Sequence, residues 1–195
     1  MTDITIAILA GGESRRMGRD KASLELGGRT LLARTVSVAQ SVADRILVVG
    51  RTDAELPDDV EAPALPDRTS GRGPMGGIRT ALGADERPVL AVACDMPRLG
   101  PEAIAWAVDP PVLAGAEAVA TARGDSLEPL FSLYMPSLMP ELDARLEAND
   151  LAMHALLEDV ETIVRPIPDA LADQLDDADS PADWREIRAS LHLDE

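Results

Sequence analysis

The sequence predicts a single-domain α/β fold in which a mostly parallel sheet carries helices on both faces. Two runs, residues 4–9 and 89–94, are almost entirely apolar, as expected for strands that are buried on both sides. Helical patterns alternate with the strands, and this alternation favours parallel strands joined by crossover helices. Because ligands of such sheets lie beyond the carboxyl ends of the strands, we expect the chemistry near Gly11-Gly12 and Asp95, which follow the two runs.

The remaining elements follow from apolar spacing and from breaking residues. Apolar positions between Leu31 and Val42 recur at helical spacing after the first strand. Further strands are predicted at residues 45–49, immediately before Pro66, and at 116–121, 130–134 and 162–166. Further helices are predicted at residues 78–82, from Pro101 onward, and at 137–147 and 181–190. The sequence contains no repeat or linker, so we expect one domain over residues 1–195.

Acidic residues dominate the charge of the chain. Thirty-five Asp and Glu face eighteen Lys and Arg, which gives a net charge of −17. Such a surface repels nucleic acids and anionic membranes, so we expect neither as a partner. The acids are spread along the chain, and we interpret them as a solvated coat adapted to a high-salt, halophilic cytoplasm. An acidic protein from an ordinary cytoplasm is the alternative.

Cysteine usage and hydropathy restrict the class of protein further. Cys94 is the only cysteine, which excludes an intramolecular disulfide and a zinc site built from cysteines. No apolar run approaches the roughly 18 residues of a membrane span, and the run at 4–10 lacks the basic leader of a signal peptide. We therefore expect a cytoplasmic protein.

A glycine turn and clustered cations follow the first strand. Residues 9–21 read LAGGESRRMGRDK and match neither the Walker A spacing nor the G-x-G-x-x-G spacing, which disfavours a dinucleotide-dependent redox enzyme. Glycine backbone allows close approach of a phosphate chain, and clustered cations stabilise a transferring phosphoryl group. The cations are Arg15, Arg16, Arg19 and Lys21. Lys21 is the only lysine, which indicates a need for a compact charge there, a chance surface lysine being the alternative.

This segment resembles the signature loop of the molybdenum cofactor guanylyltransferases, a family within a larger nucleotidyltransferase group that has a Rossmann-like fold. The resemblance covers residues 4 to about 185 and continues, in the expected order, through Gly27-Gly28, Pro66-Asp67, Gly73-Pro74-Met75-Gly76-Gly77-Ile78, Ala93-Cys94-Asp95-Met96-Pro97 and Glu128-Pro129-Leu130-Phe131.

The resemblance implies how GTP would be held. Leu9, Ala10 and Gly11 would hold the guanine nucleotide, and Gly11 favours GTP because relatives that use cytidine nucleotides tend to carry Ala there. Lys21 would contact the phosphates. Asp67 would accept hydrogen bonds from guanine N1–H and N2–H. From the sequence alone, Asp67 is equally well interpreted as a turn residue.

The resemblance also implies the reaction. Asp95 resembles the family's Mg²⁺ ligand, and magnesium sites commonly combine one or two carboxylates with substrate phosphates. A turn or helix-capping aspartate is the alternative. The terminal phosphate of the molybdenum cofactor would attack the α-phosphorus of GTP, with Arg16, Lys21 and the metal stabilising the transfer. Cys94 is predicted to pack in the core, and His154 receives no role.

Three departures from the family pattern stand out. Gly50 occupies a position where the family often has Asn, so this nucleotide contact is either lost or made by backbone. Asp177 and Asp179 replace the two amides of the family's Asn-x-Asn motif. They either strengthen the metal site opposite Asp95 or join the acidic coat.

The sequence motifs do not specify the acceptor of the nucleotide. Arg72, Arg79 and Arg123 are candidates for selecting it. Alternatives include transfer to a sugar phosphate or a cobamide precursor, and CTP-dependent transfer to the pterin. A nucleotide-binding adaptor without catalysis is a further alternative. Candidate protein partners are molybdoenzymes and cofactor-delivery proteins.

Overall fold

The computed structural model describes residues 3–11, 20–68, 71–109, 115–178 and 181–190. Its central sheet has eight strands: β1 (Thr5–Leu9), β4 (Ile46–Val49), β5 (Ala64–Leu65), β6 (Val89–Ala93), β7 (Ala118–Arg123), β8 (Ser126–Leu127), β9 (Phe131–Tyr134) and β10 (Thr162–Pro166). Two further strands, β2 (Glu25–Leu26) and β3 (Arg29–Thr30), form a separate hairpin.

The strand order is β10-β7-β9-β6-β1-β4-β5, and β8 pairs with β7. Only the pairings that involve β8 or β9 are antiparallel in this sheet, which confirms the mostly parallel arrangement. Leu9 of β1 is in register with Val49 of β4 and with Ala93 of β6. The carboxyl ends of these three strands therefore lie side by side, and the segments that follow them are brought together.

Helices cover both faces of the sheet, as predicted. They are α1 (Leu31–Gln40), α2 (Gly73–Leu82), α3 (Pro101–Ala107), α4 (Met139–Ala148), α5 (Met153–Asp159), α6 (Asp169–Ala172) and α7 (Pro181–Ser190). Ile6 and Ile8 pack in the cluster that includes α1 and α3, whereas Ala7 packs in the cluster that includes α2, α4 and α5. This division follows from the alternation of side chains along a strand.

The structure differs from the predicted elements in two informative places. Helix α2 begins at Gly73 rather than at residue 78, because Pro74 in its first turn has a backbone angle suited to a helix start. The β2–β3 hairpin was not predicted. Its turn residues Gly27 and Gly28 have φ of 62° and 76°, which glycine adopts without steric cost, but its strands are too short to show alternation.

Cys94 lies in the core, as predicted. It is free and buried, and burial together with the neighbouring Asp95 carboxylate raises the pKa of its thiol to about 12. Within the described ranges, no helix combines the length and apolar character that crossing a membrane requires.

Candidate active site

The candidate site lies at the carboxyl edge of the sheet. Gly11 follows β1, Gly50 and Arg51 follow β4, Asp67 lies two residues after β5, and Asp95 lies two residues after β6. These are segments far apart in the sequence that the parallel register places next to one another.

The backbones of Gly11 and Gly50 are in direct contact. A Cβ atom on Gly50 would lie 2.4 Å from the Gly11 Cα, and one on Gly11 would lie 2.9 Å from the Gly50 Cα. Gly50 also has φ of +93°. Its N–H donates to the Leu65 carbonyl at 2.9 Å, so this donor is used inside the sheet. Gly50 therefore offers a nucleotide neither a side chain nor this N–H.

Asp67 lies in a slot lined by three glycines. A Cβ on Gly11 would approach its Oδ2 to 3.1 Å, one on Gly50 would approach Oδ2 to 3.5 Å, and one on Gly77 would approach Oδ1 to 3.8 Å. Oδ1 is buried and has no hydrogen-bond partner, and burial raises the pKa of this carboxyl above its ordinary value of 3.8. A buried carboxylate oxygen without a donor is uncommon in proteins, so Asp67 has acceptor capacity suited to a ligand.

Lys21 and Asp95 form an ion pair in this site. The Lys21 Nζ lies 2.7 Å from Asp95 Oδ2, and their side chains are 16% and 20% exposed. A short 3₁₀ turn, Lys21–Ser23, presents the lysine. Asp20 caps this turn by accepting hydrogen bonds from the Ala22 N–H and the Ser23 hydroxyl. The structure thus joins the residue predicted to bind phosphate to the residue predicted to bind metal.

Arg51 is a site residue that the sequence interpretation missed. Its Nε donates to the Ala10 carbonyl at 3.1 Å and its Nη2 contacts Asp20 Oδ1 at 2.5 Å. It therefore connects the two ends of the glycine-rich segment. Burial by itself raises the pKa of Asp20, but hydrogen bonds from Arg51 and Ser23 outweigh it and leave the pKa lowered. The sequence signal for this residue was its basic side chain directly after Gly50, the glycine that follows β4.

A cavity of about 500 Å³ opens beside Asp95. Its apolar lining includes Met96, Leu127, Leu130, Met153 and Leu175, and its polar lining includes Arg123, Ser126, His154 and Asp177. The lining combines an apolar wall with a few polar groups, as is typical of small-molecule sites. His154, to which the sequence assigned no role, belongs to this lining.

A chain of ion pairs borders this cavity. Arg123 contacts Glu128 at 2.9 Å and Asp176 at 2.7 Å, and Arg98 contacts the other carboxylate oxygen of Asp176 at 2.9 Å. These three contacts join four segments: the loop after β6, the end of β7, the residues before β9 and the segment that precedes α7.

The segment that precedes α7 also places Asp177, one of the two acidic replacements, near Asp95. The Ala178 N–H donates to the Asp95 carbonyl at 3.0 Å, and the preceding Asp177 lines the cavity together with Asp95. Asp179 lies outside the described residues. The chemistry of this donor set fits Mg²⁺, which binds one or two carboxylates and completes its shell with substrate phosphates. Among the described residues no group of three or more metal-binding side chains occurs, so phosphate oxygens would be needed.

The three arginines proposed for acceptor selection have different positions. Arg123 lines the cavity. Arg79 instead binds Asp143 through two hydrogen bonds of 2.7 and 3.2 Å between α2 and α4, and Arg72 binds the Asn149 side chain. Neither Arg72 nor Arg79 is part of the cavity lining. Three predicted phosphate-binding cations lie outside the described residues: Arg15, Arg16 and Arg19.

Residues 6–163 match the family model described as the MobA-like NTP transferase domain. The chain belongs to this family. It is 33% identical over 190 residues to the probable molybdenum cofactor guanylyltransferase of Synechococcus elongatus, covering 94% of this chain and 97% of that protein. It is 38% identical over 180 residues to the protein of the same description from Mycobacterium avium, covering 88% and 90%.

The MobA-like fold is found also by structural comparison. The molybdopterin-guanine dinucleotide biosynthesis protein A from Archaeoglobus fulgidus matches with a TM-score of 0.85 and 23% identity, over 96% of this chain and 98% of that one. The resemblance inferred from the sequence motifs is thereby confirmed, and the MobA-like chain is a nucleotidyltransferase.

Proposed function

We propose that this MobA-like enzyme transfers GMP from GTP to the terminal phosphate of the molybdenum cofactor and releases pyrophosphate. The observation that carries the nucleotide assignment is Asp67, whose buried Oδ1 has no donor in a slot lined by glycines. The descriptions of the Synechococcus and Mycobacterium relatives support the acceptor assignment.

Guanine matches the hydrogen-bonding capacity of Asp67. Its N1–H and N2–H groups are adjacent donors, and one carboxylate can accept both. Adenine and cytosine do not present this pair of neighbouring donors. Donation from guanine would compensate the burial that raises the pKa of Asp67. The contact of Gly11 with both Gly50 and Asp67 leaves no room for the Ala expected in cytidine-specific relatives.

Lys21 and Asp95 are proposed to act on the phosphates. Asp95, together with Asp177 on the same cavity, would hold Mg²⁺, which supplies charge neutralisation at the phosphates of GTP when bound. Lys21 would bind oxygens of the triphosphate, and Arg16 would add a second positive charge. An oxygen of the acceptor phosphate forms the new bond to the α-phosphorus, and the bond to the bridging oxygen of the β-phosphate breaks. No protein nucleophile takes part.

The cavity beside Asp95 is proposed to hold the acceptor. Its volume of about 500 Å³ lies within the usual range of small-molecule sites. Leu127, Leu130 and Met153 would pack against the planar pterin, while Arg123 and His154 are placed to bind its polar edge or its phosphate. Because Asp95 lines this cavity, an acceptor that binds there can bring its phosphate to the metal ligand.

The first experiment is a titration of GTP, ITP, ATP and CTP with Mg²⁺ in molar KCl. ITP lacks the N2 amino group, so the GTP-to-ITP affinity ratio reports the contact with Asp67. We expect Asp67→Asn to weaken GTP binding about 10- to 100-fold, as for hydrogen bonds to charged groups, and to reduce this ratio. The exposed Asp58→Asn serves as a charge-matched control. Equal binding of all four nucleotides would refute the assignment.

The second experiment tests transfer. Pyrophosphate release from GTP should require the phosphorylated pterin and should be lost in Asp95→Ala and Lys21→Ala. GTP binding without pterin-dependent release would instead support the adaptor alternative. Release with a sugar phosphate or a cobamide precursor, but not with the pterin, would support a related transferase with another acceptor.

A further inference from the structure

A second, smaller cavity lies between α1 and the loop that follows Asp95. Its volume is about 190 Å³, and its lining includes Arg29, Arg34, Thr35, Ser37, Met96 and Pro97. It is therefore basic and hydroxyl-lined, although the chain as a whole has a net charge of −17. Met96 lines this cavity as well as the larger one beside Asp95.

Arg34 is unusually poor in acceptors. Its Nη1 lies 3.5 Å from the Leu26 carbonyl, at the limit of a hydrogen bond, and its Nε is buried without a partner. No ion pair joins it to a carboxylate in the part of the chain that the structure describes. By contrast, Arg79 and Arg145 are each held by carboxylates. Among the described residues Arg34 therefore has no carboxylate partner, and its guanidinium has donors for a ligand of the cavity that it lines.

Arg29 adds a second charge at the same cavity. Its Nη2 donates to the Ala33 carbonyl at 3.3 Å, which uses one donor of the five in the guanidinium. Asp59 interacts electrostatically with Arg29, but its carboxylate already accepts two hydrogen bonds of 2.9 Å from Thr30. The cavity is thus lined by two guanidinium groups, and within the described ranges neither of them is hydrogen-bonded to a carboxylate.

We propose that this cavity binds a small oxyanion of the phosphate class. Guanidinium groups present planar pairs of donors that match phosphate oxygens, and two of them with a serine hydroxyl form a compact donor set. The cavity is far smaller than the one beside Asp95, which restricts it to a phosphate-sized group. Inorganic phosphate and pyrophosphate share this chemistry. The inference does not depend on the proposed function, since it concerns binding without nucleotide.

The test is calorimetric titration of potassium phosphate into the nucleotide-free, magnesium-free protein, with ionic strength held constant by KCl. Arg34→Gln should weaken phosphate binding at least about tenfold, as expected on loss of a charged hydrogen-bond donor. All variants are compared in a Lys21→Ala background, which removes the phosphate-binding lysine of the nucleotide site, and Arg45→Gln in this background should change phosphate binding by about twofold or less. Arg45 is a matched control because it also lines a cavity, but one that contains the carboxylates Asp44 and Asp85.

Each outcome decides the proposal. Loss of binding in Arg34→Gln with retention in Arg45→Gln supports it. Unchanged binding in Arg34→Gln, equal losses in Arg34→Gln and Arg45→Gln, or no saturable phosphate binding in the Lys21→Ala background overturns it. If Arg34→Gln does not fold, Arg29→Gln at the rim should weaken binding by about threefold or more, and no change there overturns the proposal.

Competition in the Lys21→Ala background, where the phosphate-binding lysine of the nucleotide site is absent, distinguishes inorganic phosphate from pyrophosphate as the ligand. Pyrophosphate that competes with phosphate in that background, and no longer binds when Arg34→Gln is added, is identified as a ligand of this cavity. Pyrophosphate that does not compete leaves inorganic phosphate as the ligand.

Discussion

Lys21 Nζ lies 2.7 Å from Asp95 Oδ2, so the ammonium group occupies one oxygen of the carboxylate predicted to bind magnesium. The two residues are 74 positions apart in the sequence. A cation paired to a carboxylate weakens the attraction of that carboxylate for a second cation. The phosphates of a nucleotide offer Lys21 another partner, and we therefore expect metal and nucleotide binding to be coupled.

The first prediction concerns Mg²⁺ binding without nucleotide. Lys21→Ala should raise the affinity for Mg²⁺ by up to about fivefold, the upper range for a partly exposed ion pair, while it weakens GTP binding. Arg45→Gln changes the net charge equally but lies at the opposite edge of the sheet, so it should leave Mg²⁺ affinity unaltered. Calorimetry with each variant measures this. A lower Mg²⁺ affinity in Lys21→Ala would show that the lysine helps to form the metal site.

The second prediction follows from the raised pKa of Asp67. Burial raises the pKa of this carboxyl above its value of 3.8 in the unfolded chain. Its ionisation therefore destabilises the folded state once the pH exceeds 3.8, and the loss of stability is complete above the folded-state pKa. Asp67→Asn should therefore increase the free energy of unfolding at pH 7, although it weakens GTP binding. This gain should disappear as the pH falls below 3.8. Urea unfolding at several pH values tests it, and a loss of stability at pH 7 would contradict it.

The third prediction concerns the contact of Gly50 with Gly11. Gly50→Ala should lower the free energy of unfolding by at least about 2 kcal/mol, because the added Cβ meets backbone at 2.4 Å and φ is positive. Gly124 also has a positive φ, of +60°, but no atom lies within 4 Å of its Cβ position. Gly124→Ala should therefore lower the free energy of unfolding clearly less than Gly50→Ala does. Equal losses in the two variants would mean that backbone strain, and not the close approach, dominates.

The fourth prediction assigns a positioning role to Arg51. Arg51→Gln should raise the KM for GTP more than it lowers kcat, because it removes the contacts that hold Ala10 and Asp20, which border the nucleotide site. Arg51→Lys should leave the KM for GTP nearly as high as Arg51→Gln does, since one ammonium group does not reproduce both contacts made by the forked guanidinium of arginine. Steady-state kinetics with each variant give the two constants. A fall in kcat alone would instead place Arg51 in the chemical step.

The fifth prediction concerns the acidic surface. The midpoint of thermal unfolding should rise between low salt and molar KCl, because salt screens repulsion among the excess carboxylates. A variant with three exposed acids neutralised, Asp58→Asn, Glu86→Gln and Asp125→Asn, should show a smaller rise. A midpoint that is independent of KCl would end the halophilic interpretation.

Much of the sheet could be predicted from the sequence because its signals are local. The two apolar runs became β1 and β6, and β10 and α7 have the predicted bounds. Helices α5 and α6, strand β8 and the β2–β3 hairpin were missed, since elements of two to seven residues show little of a period and none of these begins at a proline as α3 does. The glycine-rich loop and Asp95 were recognisable because a glycine turn and a carboxylate directly follow strong strands.

The sequence by itself determined the fold class, the family and the residue types at the carboxyl edge of the sheet, since these depend on apolar periodicity and short motifs. Only the tertiary structure decided that Lys21 pairs with Asp95, that Arg51 joins Ala10 to Asp20, and which of the three candidate arginines lines the acceptor cavity. These relations depend on strand register and on the packing of distant segments. Local patterns mark Lys21 and Asp95 separately, but they do not encode contacts between residues that are far apart in the sequence.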